Sequence, residues 1–294
     1  MKKRIAFIFP GQGSQYSGML DKIKEHKVTQ AFLNEFQALL GYRFEDFTDE
    51  ELLPTNVTQP ALFTTSCIYF EILQEKGIRP FFIAGHSLGE FSALYAGGFF
   101  SFQDGLQIVS QRGAMMSHIS KETPGKMAAI IGLLADDVLS ICQEASGRGI
   151  VEAVNFNSIN QIVISGDVQS VNAASVLAKE RGAKLVIPLQ VSAPFHSSLL
   201  KPMAEKFSKE LNKLSVNNLK IPIVQNFDGK AHGQAGNIIQ NLVFQLYNPV
   251  LWSQSISELI DRGAEEFIEI GPKKVLSGLL KKASIPVYSS EDLV

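Results

Sequence analysis

Ser87 sits at the centre of Gly85-His86-Ser87-Leu88-Gly89, a G-x-S-x-G spacing. The apolar run 81–84 before it predicts a buried strand, and the amphipathic run 90–96 after it predicts a helix. Strand, tight turn and helix in that order are the setting a nucleophile elbow requires. The two glycines let strand and helix pass close together around a strained turn. Ser87 then presents its hydroxyl at a helix N-terminus, where backbone N–H groups and the helix dipole favour negative charge. A glycine-rich turn with a surface serine is the plainer alternative.

A serine hydroxyl is a weak nucleophile at neutral pH and needs a base. Five histidines are available. His26 lies in the charged run KIKEHK and reads as solvated. His86 adjoins Ser87, and neighbours in an elbow point in different directions. His118 sits near a helix end, and His232 lies in the polar stretch DGKAHGQAG. His196, in Val191-Ser192-Ala193-Pro194-Phe195-His196, is the remaining candidate for the base, unless it is an idle hydrogen-bonded histidine at a helix start. A carboxylate usually orients such a histidine. In α/β-hydrolases the order is serine, acid, then a late histidine. Here a long stretch of chain follows His196 and no carboxylate stands out. That weakens an ordinary esterase reading and leaves a backbone carbonyl as a possible orienter.

Two further features bear on the chemistry. The loop Gly11-Gln12-Gly13-Ser14 follows the first predicted strand and would open at the same sheet edge as the elbow. Its N–H groups could form half of an oxyanion hole, with the N–H of Leu88 as the other half; a tight βα turn is the alternative. Arg112 lies in GLQIVSQRGAMM among apolar and small neighbours. A guanidinium there can grip a substrate carboxylate with two parallel hydrogen bonds, or simply pair with a local acid.

The elements that must position these residues alternate between strand and helix, which predicts a parallel α/β sheet. A strand is expected over 4–9, helices over 16–40, and a helix over 61–75 opened by Thr58-Gln59-Pro60. The elbow strand and helix follow, then a helix over 102–119. Residues 126–190 read differently: strand 126–133, helix 135–145, strands 151–154 and 161–165 joined by a polar turn over 155–160, a helix capped by Asp167 running to 181, and strand 184–189. That βαββαβ order is the ferredoxin-like pattern. It predicts a small domain, 126–194, inserted into a larger one made of 1–125 and 195–294. Thr123-Pro124-Gly125 marks its entry and Ser192-Ala193-Pro194 its exit. Helices near 197–213, 236–246 and 252–262, strands at 221–225 and 266–270, and a helix opened by Gly271-Pro272 complete the expectation.

Bulk properties narrow the classes. The 294 residues are 45% hydrophobic and 19% charged, which suits a globular protein with a large core. With 27 basic and 29 acidic residues, the net charge of −2 gives no electrostatic reason to expect nucleic acid or a membrane surface as a partner. No apolar run reaches the length of a membrane span, and the short 5–9 stretch is too brief for a signal-peptide core. The two cysteines, Cys67 and Cys142, have no metal-site spacing and read as packed thiols of a cytoplasmic protein.

Taken together the chain resembles the acyl-carrier-protein S-malonyltransferase family, the acyltransferases of fatty acid and polyketide synthesis. The resemblance rests on FPGQGSQ (9–15), TQPAL (58–62), GHSLGE (85–90), QRG (111–113), NFNS (155–158), PFHS (194–197), QLYNPVLW (245–252) and EIGPKKVLSGL (269–279), in that order. It implies an α/β-hydrolase-like parallel-sheet domain with a ferredoxin-like insertion. By resemblance Ser87 is the acylated nucleophile and His196 its base, Gln12 and Leu88 supply the oxyanion-hole N–H groups, and Arg112 pairs with the malonyl carboxylate. Gln245 holds the histidine through its backbone carbonyl, Gln59 and Asn155 line the pocket, and Phe195 matches the malonyl-preferring pattern. The implied reaction is transfer of malonyl from malonyl-CoA to the phosphopantetheine thiol of an acyl carrier protein, with no metal or bound cofactor, by a monomer. A hydrolase of the same fold that clears carriers, and a non-catalytic docking module, are the rivals. Lys126 and QNFDGK (225–230) depart from the family pattern.

Overall fold

The computed structural model describes residues 3–191, 193–281 and 285–294. Ser192, part of the expected exit turn, lies outside the described residues. In chain order the elements are β1 (Ile5–Phe9), α1 (Lys27–Leu40), α2 (Thr55–Glu75), β2 (Phe82–Gly85), α3 (Gly89–Ala96), α4 (Phe102–Glu122), β3 (Gly125–Ile131), α5 (Ala135–Ala145), β4 (Val151–Ser158), β5 (Gln161–Asp167), α6 (Val168–Glu180), β6 (Leu185–Pro188), α7 (Ala204–Leu211), β7 (Ile223–Val224), β8 (Ala231–His232), α8 (Ala235–Gln245), α9 (Trp252–Asp261), β9 (Glu266–Glu269), α10 (Val275–Leu279) and β10 (Val287–Ser289).

The larger sheet has the order β10-β9-β1-β2-β7-β8. Its strands run parallel except for the β7–β8 pair. The short strands are apolar almost throughout because both faces are covered. On β1, Phe7 and Phe9 pack into a core with α1, α2 and α4, while Ala6 and Ile8 face Trp252, Ile256 and Leu276 from α9 and α10. This alternation puts the C-terminal ends of β1 and β2 side by side, with Phe9 opposite Gly85. The Gly11 loop and the elbow therefore open at one edge.

The second sheet is antiparallel, in the order β4-β5-β3-β6. Its strands alternate with period two. Ala128, Ile130, Ile162 and Ile164 pack under α5 and α6. Met127, Ala129 and Val163 face the other way and join the core of the larger sheet. Asp167 caps α6 by accepting the N–H of Ser170 at 2.9 Å, as its position in the sequence predicts.

Several expected elements differ. Residues 16–26 form successive turns rather than a helix, with Gly18 at φ +79° and i→i+3 bonds such as Asp21 N–H to Gly18 C=O. His26 is not merely solvated: its Nδ1 accepts the Val28 N–H and caps α1. Helix α2 starts at Thr55, behind Pro54, so Pro60 lies inside it rather than in its first turn. Strand β4 continues through Asn155 to Ser158 where a polar turn was expected. Two register shifts accommodate the asparagines, and Asn155 bridges Val250. The stretch 198–203 is a 3₁₀ turn ahead of α7, and α10 starts at Val275, beyond Gly271-Pro272. Strands β8 and β10 have no counterpart in the sequence-based expectation.

Candidate active site

Ser87 stands in the turn between β2 and α3 with φ +52°, a left-handed conformation rare for a non-glycine residue. The close approach of strand and helix explains both flanking glycines. A Cβ on Gly85 would come 2.0 Å from the Gly89 carbonyl, and one on Gly89 would come 2.0 Å from the Phe9 carbonyl oxygen. The strained turn is pinned from outside: the Ser87 N–H donates to Asn226 Oδ1 at 2.6 Å, and Asn226 Nδ2 donates to the Gly85 carbonyl at 2.6 Å.

His196 Nε2 lies 2.7 Å from Ser87 Oγ, and its Nδ1 lies 2.7 Å from the Gln245 carbonyl oxygen. A carbonyl only accepts, so Nδ1 carries the proton and Nε2 is left bare to accept the serine O–H. The ring is buried, and burial followed by the nearby Arg112 charge pushes its pKa down to about 3, against the Gln245 bond that raises it. The imidazole is thus a neutral acceptor throughout the physiological range. His196 also has φ +61°, so both members of the pair sit in strained backbone held by their surroundings.

Arg112 comes from α4, is 1% exposed, and points at the same serine. Its guanidinium donates to Gln59 Oε1 at 2.7 Å, Gln245 Oε1 at 3.1 Å and Ser87 Oγ at 3.2 Å. Its Nε has no partner, and among the described residues no carboxylate lies within ion-pair distance of it. Burial lowers its pKa to about 10, which leaves it charged; Glu90 partly offsets the effect through space.

One cavity of about 250 Å³ is lined by Ser87, His196, Arg112, Gln12, Leu88, Gln59, Asn155 and Phe195. Met127, Ala129 and Val163 of the second sheet close it with apolar surface. Among the described residues, the N–H groups of Gln12 and Leu88 donate to no protein acceptor. Gln245 does not line the cavity; it contributes from behind, through its carbonyl to His196 and its side chain to Arg112.

Among the described residues none of the other histidines bonds Ser87 Oγ, although His86 also lines the cavity. His118 is exposed near Glu122, and His232 bonds Asp228 at 2.7 Å. His86 turns away from Ser87, edge-on to Trp252, with Nε2 2.8 Å from Asn157 Oδ1. The largest omission from the sequence reading is Glu90. It is fully buried and accepts from Gln225 Nε2 (2.9 Å), the Asn226 N–H (2.8 Å) and Gln245 Nε2 (3.1 Å). Burial raises its pKa to about 7 against those bonds and the Arg112 charge. Glu90 thereby anchors the two residues, Asn226 and Gln245, that hold the elbow and the histidine. Among the described residues, no group of three His, Cys, Asp or Glu side chains is placed to hold a metal ion.

An oxygen nucleophile with a neutral imidazole, two free N–H groups and a buried cation can attack the carbonyl of an anionic acyl group. A family profile described as acyl transferase domain matches residues 6–289. The malonyl CoA-acyl carrier protein transacylase of Bacillus subtilis (strain 168) is 42% identical over 287 residues, 96% of this chain and 90% of that protein. The crystal structure of FabD from Acinetobacter baumannii superposes with a TM-score of 0.94 at 39% identity, covering 99% of this chain and 97% of that one. A malonyl-transacylase in complex with a type II PKS acyl-carrier protein superposes with a TM-score of 0.92 at 38% identity, covering 98% and 95%.

Proposed function

The chain belongs to the acyl transferase domain family, and from that premise we propose that it moves a malonyl group from malonyl-CoA to the phosphopantetheine thiol of an acyl carrier protein. Ser87 Oγ attacks the thioester carbonyl while its proton passes to His196 Nε2. The C–O bond forms, the oxyanion rests between the N–H groups of Gln12 and Leu88, and the C–S bond breaks. The imidazolium returns its proton to the departing CoA sulfur. The carrier's thiol then repeats the sequence in reverse on the malonyl-serine, losing its proton to His196. No step requires a metal or resident cofactor. Residues 126–194 act in this reading as the small domain that completes the pocket.

The observation that carries the substrate class is Arg112. A buried guanidinium without a carboxylate is costly unless a ligand supplies one. This one stands within hydrogen-bond reach of the nucleophile, so a short dicarboxylate half-ester places its carbonyl at Ser87 and its charge at Arg112. The relatives' names and the carrier complex support the same donor and acceptor. The setting we propose is a monomer in the cytoplasm, consistent with two free, buried cysteines whose thiols burial pushes up.

The test is mass spectrometry of the protein with malonyl-CoA and with acetyl-CoA, alone and then with holo carrier protein. The reading expects a malonyl adduct on Ser87 that discharges onto the carrier. Label at another residue would defeat it, and rapid malonate release unchanged by carrier would favour the hydrolase.

A further inference from the structure

Gln12 lies between two glycines, and Gly13 takes φ +106°. Gly11 has no room for a side chain, since a Cβ there would come 2.5 Å from the His86 carbonyl oxygen. Two glycines leave the intervening peptide poorly determined by local preference. Its orientation must come from tethers. Ser14 Oγ donates to the Gly11 carbonyl at 2.8 Å, and the Gly13 N–H donates to Gln15 Oε1 at 2.7 Å. Among the described residues the Gln12 side chain has one tether, the hydroxyl of Thr55 at 2.9 Å.

That hydroxyl belongs to a longer chain whose polarity is set from the Arg112 end. Arg112 can only donate, so Gln59 must turn Oε1 toward it, at 2.7 Å. Gln59 Nε2 then donates to Thr55 Oγ1 at 3.0 Å. The Thr55 hydroxyl, having accepted, is left to donate to Gln12 Oε1. The half-buried Thr55, at the start of α2, thus stands between the residue that would read the substrate's charge and the loop that would receive the oxyanion.

We propose that Thr55 is a positioning residue for the acyl-transfer step: through Gln12 it holds the N–H of that residue in place for the oxyanion. The inference rests on the proposed role of the Gln12 N–H. An oxyanion donor matters only as the tetrahedral state forms, so losing its alignment lowers kcat rather than raising KM. The oxyanion is common to every acyl group, so the defect should be blind to the substrate's carboxylate.

The experiment compares wild type with Thr55→Val, Thr55→Ser, Gln12→Met and the Thr55→Val/Gln12→Met double variant. Three reactions at Ser87 are followed: acylation by malonyl-CoA, acylation by acetyl-CoA, and labelling by an uncharged fluorophosphonate whose phosphoryl oxygen needs the same hole. Thr55→Val should slow all three by one common factor of about 10, a fraction of the loss seen when a donor is removed outright. KM should stay within about twofold, Thr55→Ser should restore the rate, and the double variant should be no slower than the worse single one. A changed malonyl-to-acetyl ratio, a raised KM at constant kcat, failure of serine to rescue, or additive losses would each overturn the proposal. If Thr55→Val does not fold, Gln12→Met decides alone, and a normal rate there overturns it. Wild type labelled by the fluorophosphonate but not by malonyl-CoA would sink the malonyl reading, while the fluorophosphonate rates still judge Thr55.

Discussion

On the proposed reading, replacing Arg112 by alanine should separate charge recognition from general support of Ser87. The guanidinium is 1% exposed and held near a pKa of 10, against an ordinary 12.5, chiefly by burial. At 1.36 kcal/mol for each tenfold change, that corresponds to about 3 kcal/mol of unrelieved desolvation, which a malonyl carboxylate can relieve and an acetyl methyl cannot. Arg112 also donates to Ser87 Oγ at 3.2 Å. Losing that bond costs about 1 kcal/mol, a penalty every acyl group shares. Arg112→Ala should therefore lower kcat/KM for malonyl-CoA by roughly 2–4 kcal/mol, about 30- to 1,000-fold. For acetyl-CoA the shared penalty is opposed by removal of an unsatisfied buried cation, so the change should stay within about fivefold. Lysine should rescue poorly, because it keeps the charge without the fork that spans Gln59 and Gln245. The assay is stopped-flow or quenched acylation of Ser87 by each thioester in both proteins. Equal losses for the two substrates would make Arg112 a structural residue and remove the physical basis of malonyl selection.

Other outcomes follow from the same geometry. Ser87→Ala should abolish covalent malonylation, read by intact-protein mass spectrometry, and His196→Ala should slow it at least ~100-fold; near-normal transfer would dismiss His196. The histidine's pKa is depressed in the folded state, so its contribution to stability is complete above about 6.5 and is lost as pH falls toward 3. Acidification from pH 7.5 to 5 should then cost the wild type about 2 kcal/mol more than His196→Ala, by denaturant titration. Glu90, raised toward 7, slopes the opposite way but is common to both proteins. Gly89→Ala should destabilise the fold by at least ~2 kcal/mol, since its Cβ would stand 2.0 Å from the Phe9 carbonyl oxygen; an unchanged thermal midpoint would contradict that packing.

The chemistry that the sequence determined is local. An apolar run, two glycines four residues apart and an amphipathic run dictate strand, turn and helix, and Ser87 has nowhere else to stand. Asp167 caps its helix by contacts three residues away, and the βαββαβ order of the second sheet follows from short-range patterning. What local pattern misjudged was local competition: Gly18 turns breaking an otherwise amphipathic 16–26, and asparagines admitted to β4 by register shifts. What only the tertiary structure decided is how the site is wired. The group that His196 Nδ1 meets is a backbone carbonyl, which any residue type can supply, so residue types and spacing carry no mark of it and only the family resemblance pointed to Gln245. Glu90 reads as an ordinary acidic residue in a helix's first turn. It becomes the anchor of the elbow only because Gln225, Asn226 and Gln245 arrive from more than a hundred residues away. Arg112 looks odd in its helix, but that it meets Gln59, Gln245 and Ser87, and no carboxylate among the described residues, is a property of the assembled cavity. Hydrogen bonds that cross such separations depend on how whole sheets and helices dock, and side-chain identity alone does not encode that docking.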